Sequence, residues 1–252
     1  MSDIDFTEWN KAFDKLRYKH ETWMIFQDFL DMTVDQFTIP GMKPLFHHKD
    51  RYTKKEYEYF GELFNAYIQG MYVELEKRPY CDFLGEWWES DVNMTNKFRA
   101  QFFTPMSICE LMVDLTIQND SELSEDPVVM HDSCCGTSRF GLVYHDRRPQ
   151  DFFMFGDLDD YAVKMSLLNM IFHGMRGVVA HMNTLTLEVF QCWQVTPYLA
   201  GLPYIVPYGT DLQGAKACLP RNKTRQAPSE IDKEILTIQK GKQKGALDKW
   251  LN

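Results

Sequence analysis

The chain has 252 residues, long enough to bury a sizeable core in one large domain or two small ones. Hydrophobic residues make up 44% and charged residues 25%, as in ordinary soluble globular proteins, and the 14% aromatic share argues against extensive disorder. No apolar run reaches the roughly 18–20 residues of a membrane helix, and the acidic N-terminus lacks the features of a signal peptide. We therefore expect a cytoplasmic protein without a membrane partner.

The formal net charge of −9 is unevenly distributed along the chain. From Lys216 to Asn252 nine Lys or Arg face four Asp or Glu, so this tail carries +5 and the remaining residues carry −14. Phosphate contacts dominate affinity for nucleic acids, and an acidic body therefore argues against DNA binding. A basic tail can still contact a polyanion. Two interpretations stay open, a DNA contact through the tail and a solvated tail without a ligand.

The cysteines and histidines do not have the spacing of a metal site. Among six cysteines there is no Cys-x-x-Cys pair, and among seven histidines there is no His-x-x-x-His pair. A chain of this length also does not need disulfide bonds for stability. We expect free, reduced thiols and no metal ion.

The first hundred residues have the apolar spacing of amphipathic helices. Apolar residues recur at intervals of three and four from Phe6 to Leu16 and again from Phe60 to Met71. This pattern predicts a helical N-terminal region over residues 1–100. Because no Gly/Ser linker separates this region from the next domain, we expect the helices to pack against that domain.

After residue 100 the pattern changes to short strands alternating with helices. Thr104-Pro105 has the chemistry of a helix start, and four apolar residues of the helix that begins there are predicted to form its buried stripe. These residues are Ile108, Leu111, Met112 and Leu115.

Three apolar strands come next along the chain, and they are predicted at residues 127–132, 152–157 and 177–181. Their alternation with helices predicts a Rossmann-like α/β domain with a parallel sheet over residues 101–212, succeeded by a basic tail over 213–252. Ligands bind such sheets beyond the carboxyl ends of the strands.

Two acidic residues stand where ligand contacts are expected in such a sheet. Asp132 ends the first strand and precedes a turn of small residues up to Ser138, where the backbone can approach a ligand closely. Asp157 ends the next strand, 25 positions later, where a carboxylate typically accepts hydrogen bonds from a ribose diol. The pair favours a nucleoside-containing ligand.

Three spaced motifs resemble those of a known family. DFLGEWWE at residues 82–89, QFFTP at 101–105 and DSCCGT at 132–137 are similar to "D-x-L-G-x-x-Y-E", "G-x-F-F/Y-T-P" and "D-P-x-x-G-S/T-G". HMNTL at 181–185 looks like a fourth motif, "G-N-T-L". The pattern belongs to the modification subunits of type I restriction systems and their small phage-type relatives, which are adenine-N6 DNA methyltransferases. The resemblance covers roughly residues 82 to 198.

This resemblance implies S-adenosyl-L-methionine as the cofactor and assigns residues to its parts. The segment from Phe102 to Pro105 would close over the methionine end, the turn after Asp132 would contact the methionine moiety, Asp157 would hold the ribose, and Asn183 would lie near the adenine ring. The implied cofactor-binding residues are Phe102, Phe103, Thr104, Pro105, Asp132, Cys134, Gly136, Asp157 and Asn183.

The catalytic motif departs from the family pattern. Family members end their fourth strand with Asn/Asp-Pro-Pro-Tyr/Phe, whose polar groups hold the target amine and whose aromatic ring stacks on the flipped base. The best candidate here is Val195-Thr196-Pro197-Tyr198, which keeps Pro197 and Tyr198 as candidate catalytic residues. Valine cannot accept a hydrogen bond from an amine. Only 54 residues remain after Tyr198, so the sheet is expected to be shortened.

The residues support three functional interpretations. The leading one is an S-adenosylmethionine-dependent methyltransferase acting on adenine N6 in DNA. The alternative is a catalytically impaired methyltransferase-fold protein that serves as a binding or regulatory subunit. In either case a protein partner supplying target recognition would fit the short chain. The third, an unrelated nucleotide-binding protein, requires the match at residues 101–105 to be accidental.

Overall fold

A computed structural model of the chain describes residues 4–92, 102–117, 126–199 and 202–220. These residues form eight α-helices and one five-stranded sheet, with a 3-10 turn at Lys49–Arg51 and a π-helical turn at Trp88–Val92. The α-helices are α1 (Thr7–Arg17), α2 (Thr22–Phe37), α3 (Lys54–Lys77), α4 (Phe83–Trp87), α5 (Met106–Thr116), α6 (Arg139–Arg147), α7 (Asp160–Phe172) and α8 (Leu212–Lys216). The strands are β1 (Val129–Asp132), β2 (Phe152–Asp157), β3 (Gly177–Asn183), β4 (Glu188–Leu199) and β5 (Leu202–Gly209). Across these ranges no helix is both long and apolar enough to cross a membrane.

The N-terminal helices pack around a cluster of aromatic side chains. Trp9 of α1 lies at its centre and makes edge-to-face contacts with Phe29, Phe83 and Trp87, with ring centroids 4.9 to 5.8 Å apart. The indole Nε1 of Trp87 donates a hydrogen bond to Asn10 Oδ1 at 2.8 Å. The apolar side chains of α1 to α4 thus form a helical core, as their spacing in the sequence predicts.

This helical region and the sheet share one continuous hydrophobic core. Phe26 of α2 stacks on Trp88 at 4.9 Å, and Trp88 in turn contacts Tyr161 of α7 at 5.2 Å. The buried Lys164 of α7 forms an ion pair with Asp31 of α2 at 2.5 Å. The N-terminal helices therefore pack against the α/β region, as we expected because no Gly/Ser linker separates the two in the sequence.

The sheet has the order β1-β2-β3-β4-β5, and its two halves differ in direction. β1, β2 and β3 are parallel, and α6 and α7 connect them. β4 and β5 continue the sheet beyond β3 as antiparallel strands. The chain therefore has the expected α/β fold with a Rossmann-like parallel half. In the described residues a β-hairpin, which the sequence pattern does not predict, extends the sheet beyond β3.

The direction of β4 corrects the sequence interpretation of residues 195–198. That segment was expected to end a fourth parallel strand, but only residues 184–187 connect β3 to β4. A parallel neighbour requires a crossover of a dozen or more residues, whereas a short turn gives an antiparallel pair. Val195 consequently lies opposite Gly177, the first residue of β3.

Helices cover the two faces of the sheet unequally. Side chains of α6 and α7 join the main core on one face, next to Phe153 and Phe155 of β2. On the other face a smaller cluster contains Met154 of β2 and Leu212 of the short helix α8. In the described part of the chain, α8 is the helix that packs on this second face.

The stripe predicted on α5 is not buried. Ile108, Leu111, Met112 and Leu115 are 45%, 54%, 46% and 59% exposed. Helix α5 instead packs on α6 and buries its opposite side, with Cys109 and Val113 fully inaccessible. The period of the stripe is helical as predicted, but the prediction of its burial is wrong.

The partly buried imidazole of His173 links the end of α7 to the N-terminal region. Its Nδ1 donates to the carbonyl of Asn169 at 2.7 Å, and its Nε2 accepts from the backbone N–H of Cys81 at 3.0 Å. This pairing requires a neutral ring, and burial lowers the pKa of His173 to about 4.

Protonation of His173 is expected to make stability depend on pH. The unfolded chain takes up this proton near pH 6.5 and the folded protein near pH 4, so the unfolded state binds more protons between these values. The free energy of unfolding should fall as the pH is lowered through that window, by at most about 1.4 kcal/mol per pH unit from this group. Urea unfolding at a series of pH values measures the slope.

The substitution His173→Gln should make this slope shallower. The matched control His47→Gln changes an exposed ring and should leave the slope as it is. Equal slopes in the wild-type protein and in His173→Gln would show that the imidazole contributes nothing to the pH dependence.

Candidate functional site at the carboxyl edge of the sheet

The parallel strands bring three predicted site residues to one edge of the sheet. Asp132, Asp157 and Asn183 are the last residues of β1, β2 and β3. The register places Asp132 opposite Phe155, and Asp157 opposite His181. Because carboxyl ends of parallel strands share an edge, these residues lie along the same edge of the sheet.

The turn after β1 is fastened to the end of β2 by backbone hydrogen bonds. The N–H of Cys135 donates to the carbonyl of Gly156 at 3.0 Å, and the N–H of Gly136 donates to Asp157 Oδ2 at 2.8 Å. The other oxygen of Asp157 accepts from the N–H of Asp159 at 2.9 Å. Asp157 therefore fixes the turn as well as facing the site.

Gly136 occupies a conformation that suits glycine. Its φ is +54°, and a Cβ built there would lie 3.0 Å from the ring of Phe103. A side chain at this position would be strained by the backbone and would push the Phe103 ring away. The small residue thus permits the close contact between the turn and the segment that contains Phe103.

The two carboxylates of the site have no cationic partner among the residues that the structure describes. Asp132 Oδ1 accepts from the N–H of Cys134 at 3.1 Å. Burial raises the pKa of Asp132, and the nearby charge of Asp157 acts in the same direction. This environment suits a ligand that brings a positive charge or hydroxyl donors.

The segment from Phe102 to Pro105 lies against the turn. Phe103 is buried, and its backbone N–H donates to Glu89 Oε1 at 2.7 Å. Phe102 is 80% exposed, and the side chains of Thr104 and Pro105 are also exposed. The ring of Phe103 therefore anchors the segment, and its neighbours remain accessible.

A buried ion-pair network, which the sequence motifs alone did not indicate, holds these segments together. Asp82 is inaccessible to solvent and accepts hydrogen bonds from Thr137 Oγ1 at 2.6 Å, Arg139 Nε at 2.6 Å and Asn169 Nδ2 at 2.9 Å. Arg139 also pairs with Glu89 at 2.8 Å.

The charges in this network compensate one another. Burial disfavours the charge on Arg139, but Asp82 and Glu89 outweigh that cost and raise the pKa of the guanidinium. A sequence signal was available, because Asp82 and Glu89 belong to one motif and Arg139 comes directly after the small-residue turn. The spacing of these residues in the sequence does not show that Arg139 pairs with Asp82 and Glu89.

The loop after β3 also lies at this edge of the sheet, beside the turn after β1. Asn183 Oδ1 accepts from the backbone N–H groups of Leu185 at 3.0 Å and Thr186 at 3.2 Å, so it shapes the turn into β4. Thr184 Oγ1 lies 3.9 Å from the Sγ of the exposed Cys134. The turns after β1 and β3 therefore meet above the end of β2.

The structure does not bring Pro197 and Tyr198 to this site. Gln191 of β4 lies opposite His181, which neighbours Asp157, and β4 then runs toward the amino edge of the sheet. At about 3.3 Å per residue, the backbone of Tyr198 lies about 23 Å along β4 from Gln191. The backbone of both residues belongs to β4, and their side chains lie outside the described part of the structure.

Removal of Asp82 is expected to destabilise the protein strongly. Asp82→Ala removes the carboxylate that pairs with the buried guanidinium of Arg139. Loss of one partner of a buried ion pair typically lowers the free energy of unfolding by about 3–5 kcal/mol. Chemical denaturation measures this loss. Asp14→Ala removes a surface carboxylate paired with Arg17 and should cost less than about 1 kcal/mol. Similar losses in both variants would contradict the role given to the buried network.

Comparison with known families places these residues in context. The profile of a family described as N-6 DNA Methylase matches residues 81–236, which is more than half of the chain. Searches of curated proteins and of solved structures give no match. The matched range contains the network of Asp82, the segment from Phe102 to Pro105, the glycine turn and both strand-end carboxylates. This chain therefore belongs to the N-6 DNA methylase family.

Proposed function

We propose that the chain binds S-adenosylmethionine at the carboxyl edge of its parallel strands and acts in the methylation of adenine N6 in DNA. One observation carries the cofactor assignment. The turn after β1 and the carboxylate of Asp157 are joined by the hydrogen bond from Gly136, which places the backbone of the turn directly beside a strand-end carboxylate. The family supplies the chemistry, since it is a family of DNA methylases.

The residues at this edge fit the groups of the proposed cofactor. S-adenosylmethionine carries a sulfonium, an ammonium and a ribose diol, and these suit Asp132 and Asp157 because neither has an ion-pair partner among the described residues. Each oxygen of Asp157 accepts one N–H, which leaves a lone pair for a ribose hydroxyl. The ammonium would be held by Asp132, whose partial burial strengthens such a contact.

The remaining site residues would orient the cofactor and shield it. Bound S-adenosylmethionine supplies an electrophilic methyl group to an amine nitrogen. The ring of Phe103, held over Gly136 through Glu89, would exclude water from the methionine end. Cys134 and the turn at Asn183 would border the remaining side of the pocket.

A second candidate function is a cofactor-binding subunit with impaired catalysis. It is favoured by the position of Val195–Tyr198 at the opposite edge of the sheet, where the segment cannot hold an amine beside Asp132. A partner protein would then supply the target-binding groups. The basic tail is proposed as the part that contacts DNA, because the rest of the chain is acidic.

Calorimetric titration with S-adenosylmethionine tests the first proposal, and methyl transfer to unmodified DNA separates the two. Binding with transfer supports the methyltransferase. Binding without transfer, on both single- and double-stranded DNA, supports the impaired subunit. Absence of binding by a folded protein would overturn the cofactor assignment and both functions that depend on it.

The substitution Asp157→Ala is expected to weaken cofactor binding at least about tenfold. Hydrogen bonds from ribose hydroxyls to a charged acceptor are each worth about 1.5–3 kcal/mol, and the N–H of Gly136 loses its partner as well. Calorimetry gives the dissociation constant. Asp157→Asn keeps an oxygen acceptor for Gly136 and should bind more tightly than Asp157→Ala. Unchanged affinity in Asp157→Ala would remove the ribose assignment.

Introducing an asparagine at position 195, where the family pattern has a polar residue, is expected to lower stability without increasing methyl transfer. Val195 is 1% exposed and lies between β3 and β5, so an asparagine there buries an amide. An unsatisfied buried amide costs about 1–3 kcal/mol. Denaturation and transfer assays on Val195→Asn test this, and Val195→Ile is the apolar control. A higher rate of methyl transfer by Val195→Asn than by the wild-type protein would show that this segment takes part in catalysis.

A further inference from the structure

Four side chains at the amino edge of the sheet line a small cavity, which we call the amino-edge cavity. They are Phe152, which begins β2, Arg176, which directly precedes β3, and Gln194 and Thr196 of β4. Cys218, which follows α8, also lines the cavity, whose volume is about 330 Å³. Because side chains alternate along a strand, these residues lie on the same face of the sheet as the smaller hydrophobic cluster.

The half-buried guanidinium of Arg176 is fixed by its neighbours, but its charge has no ion-pair partner among the described residues. Its Cζ lies 4.0 Å from the centroid of the Phe152 ring, and its Nη2 donates to the carbonyl of Gln150. In the same part of the chain its Nη1 has no hydrogen-bond partner, and its buried Nε has none either. A guanidinium oriented in this way keeps donors for an anion.

The other polar groups of the amino-edge cavity also offer hydrogen-bond donors. Gln194 Nε2 donates to Thr196 Oγ1 at 3.0 Å, which leaves the second N–H of that amide and the hydroxyl proton of Thr196 for a ligand. The acceptor of the amide is already engaged, because Gln194 Oε1 accepts from the hydroxyl of Tyr208 at 3.1 Å. No described residue that lines the cavity carries a carboxylate. The cavity therefore favours a negatively charged ligand that is rich in acceptors.

We propose that the amino-edge cavity binds a small oxyanion, whose phosphate or carboxylate group is held by Arg176 and Thr196. A planar guanidinium pairs with both kinds of oxyanion through its N–H donors. Pockets for small ligands measure roughly 300–1,000 Å³, so this cavity suits a compact ligand better than a dinucleotide. The chain up to the basic tail carries −14, and a cation without a carboxylate partner is a favourable place for an anion in such a field.

The amino-edge cavity is separate from the proposed cofactor site. Gly177 lines the cavity and Asn183 lies at the carboxyl edge, and these two ends of β3 are about 20 Å apart. The segment Val195–Tyr198, which was expected to hold a target amine, borders this cavity through Val195 and Thr196. The proposal is therefore independent of cofactor binding and of methyl transfer.

Titration of the full-length protein with inorganic phosphate, followed by two-dimensional amide NMR, tests the proposal. The amide signals of Gly177, Gln194 and Thr196 should shift and saturate, whereas sodium chloride at the same ionic strength should not reproduce the shifts. A parallel titration with acetate separates the two sources of the oxyanion. Tighter binding of phosphate would assign a phosphate-bearing ligand, and tighter binding of acetate would assign a carboxylate. Absence of saturable shifts with both anions, or shifts that chloride reproduces, would overturn the proposal.

Two variants test the residues that hold the anion. Arg176→Gln should weaken the tighter-binding anion at least about tenfold, because it removes the charge. Thr196→Val keeps the shape of the side chain but removes the hydroxyl donor, so it should weaken binding severalfold, and it tests the site even if Arg176→Gln fails to fold. The matched control Arg147→Gln changes an arginine that is paired with Asp114 and Asp146, and it should leave the affinity unchanged. Wild-type affinity in the folded Arg176→Gln or Thr196→Val proteins would overturn the assignment of the anion to this cavity.

Discussion

Arg139 holds together three segments that are distant in sequence. Its guanidinium joins Asp82 at the start of α4 to Glu89 in the π-helical turn, and it contacts the carbonyl of Thr104 at 3.5 Å. An isolated charge in this environment would be costly, so each partner depends on the others. Glu89 then receives the N–H of Phe103, which rests on Gly136. The position of the segment from Phe102 to Pro105 thus depends on the ion pairs of Arg139 with Asp82 and Glu89.

The same network explains why the N-terminal helices belong to the functional unit. Asp82 and Glu89 stand directly after the aromatic cluster of the N-terminal helices, and Trp88 between them packs on Phe26 and Tyr161. Displacement of the helical region would move both carboxylates and release Arg139. The helices therefore support the site mechanically, although none of the pocket-lining strand ends lies within them.

The sequence predicted the strand ends and the fold class, which depend on local residue patterns. It did not predict the direction of β4 or the packing of α5, which depend on distant parts of the chain. The strand ends at Asp132 and Asp157 were predictable from short apolar runs that finish in an acid, and the fold class from their alternation with helices. The antiparallel turn of β4 was also encoded, since residues 184–187 are too few for a crossover, but motif matching favoured a parallel strand there. Whether the four apolar residues of α5 are buried could not be inferred from their spacing alone. The spacing shows which residues share one face of the helix, but it does not show what packs against that face.

The order of the strands explains why Val195 and Asp132 lie at different edges of the sheet. In a doubly wound sheet the second half pairs with the first strand, and the ligand crevice forms where the strand order reverses. Here the described chain extends the sheet from β3, so Val195 and its neighbours lie at the amino edge and β1 keeps a free side. Within the described residues, the carboxyl edge is therefore bordered by the turns after β1 and β3 and by the ring of Phe103, whereas the segment from Val195 to Tyr198 lies away from it.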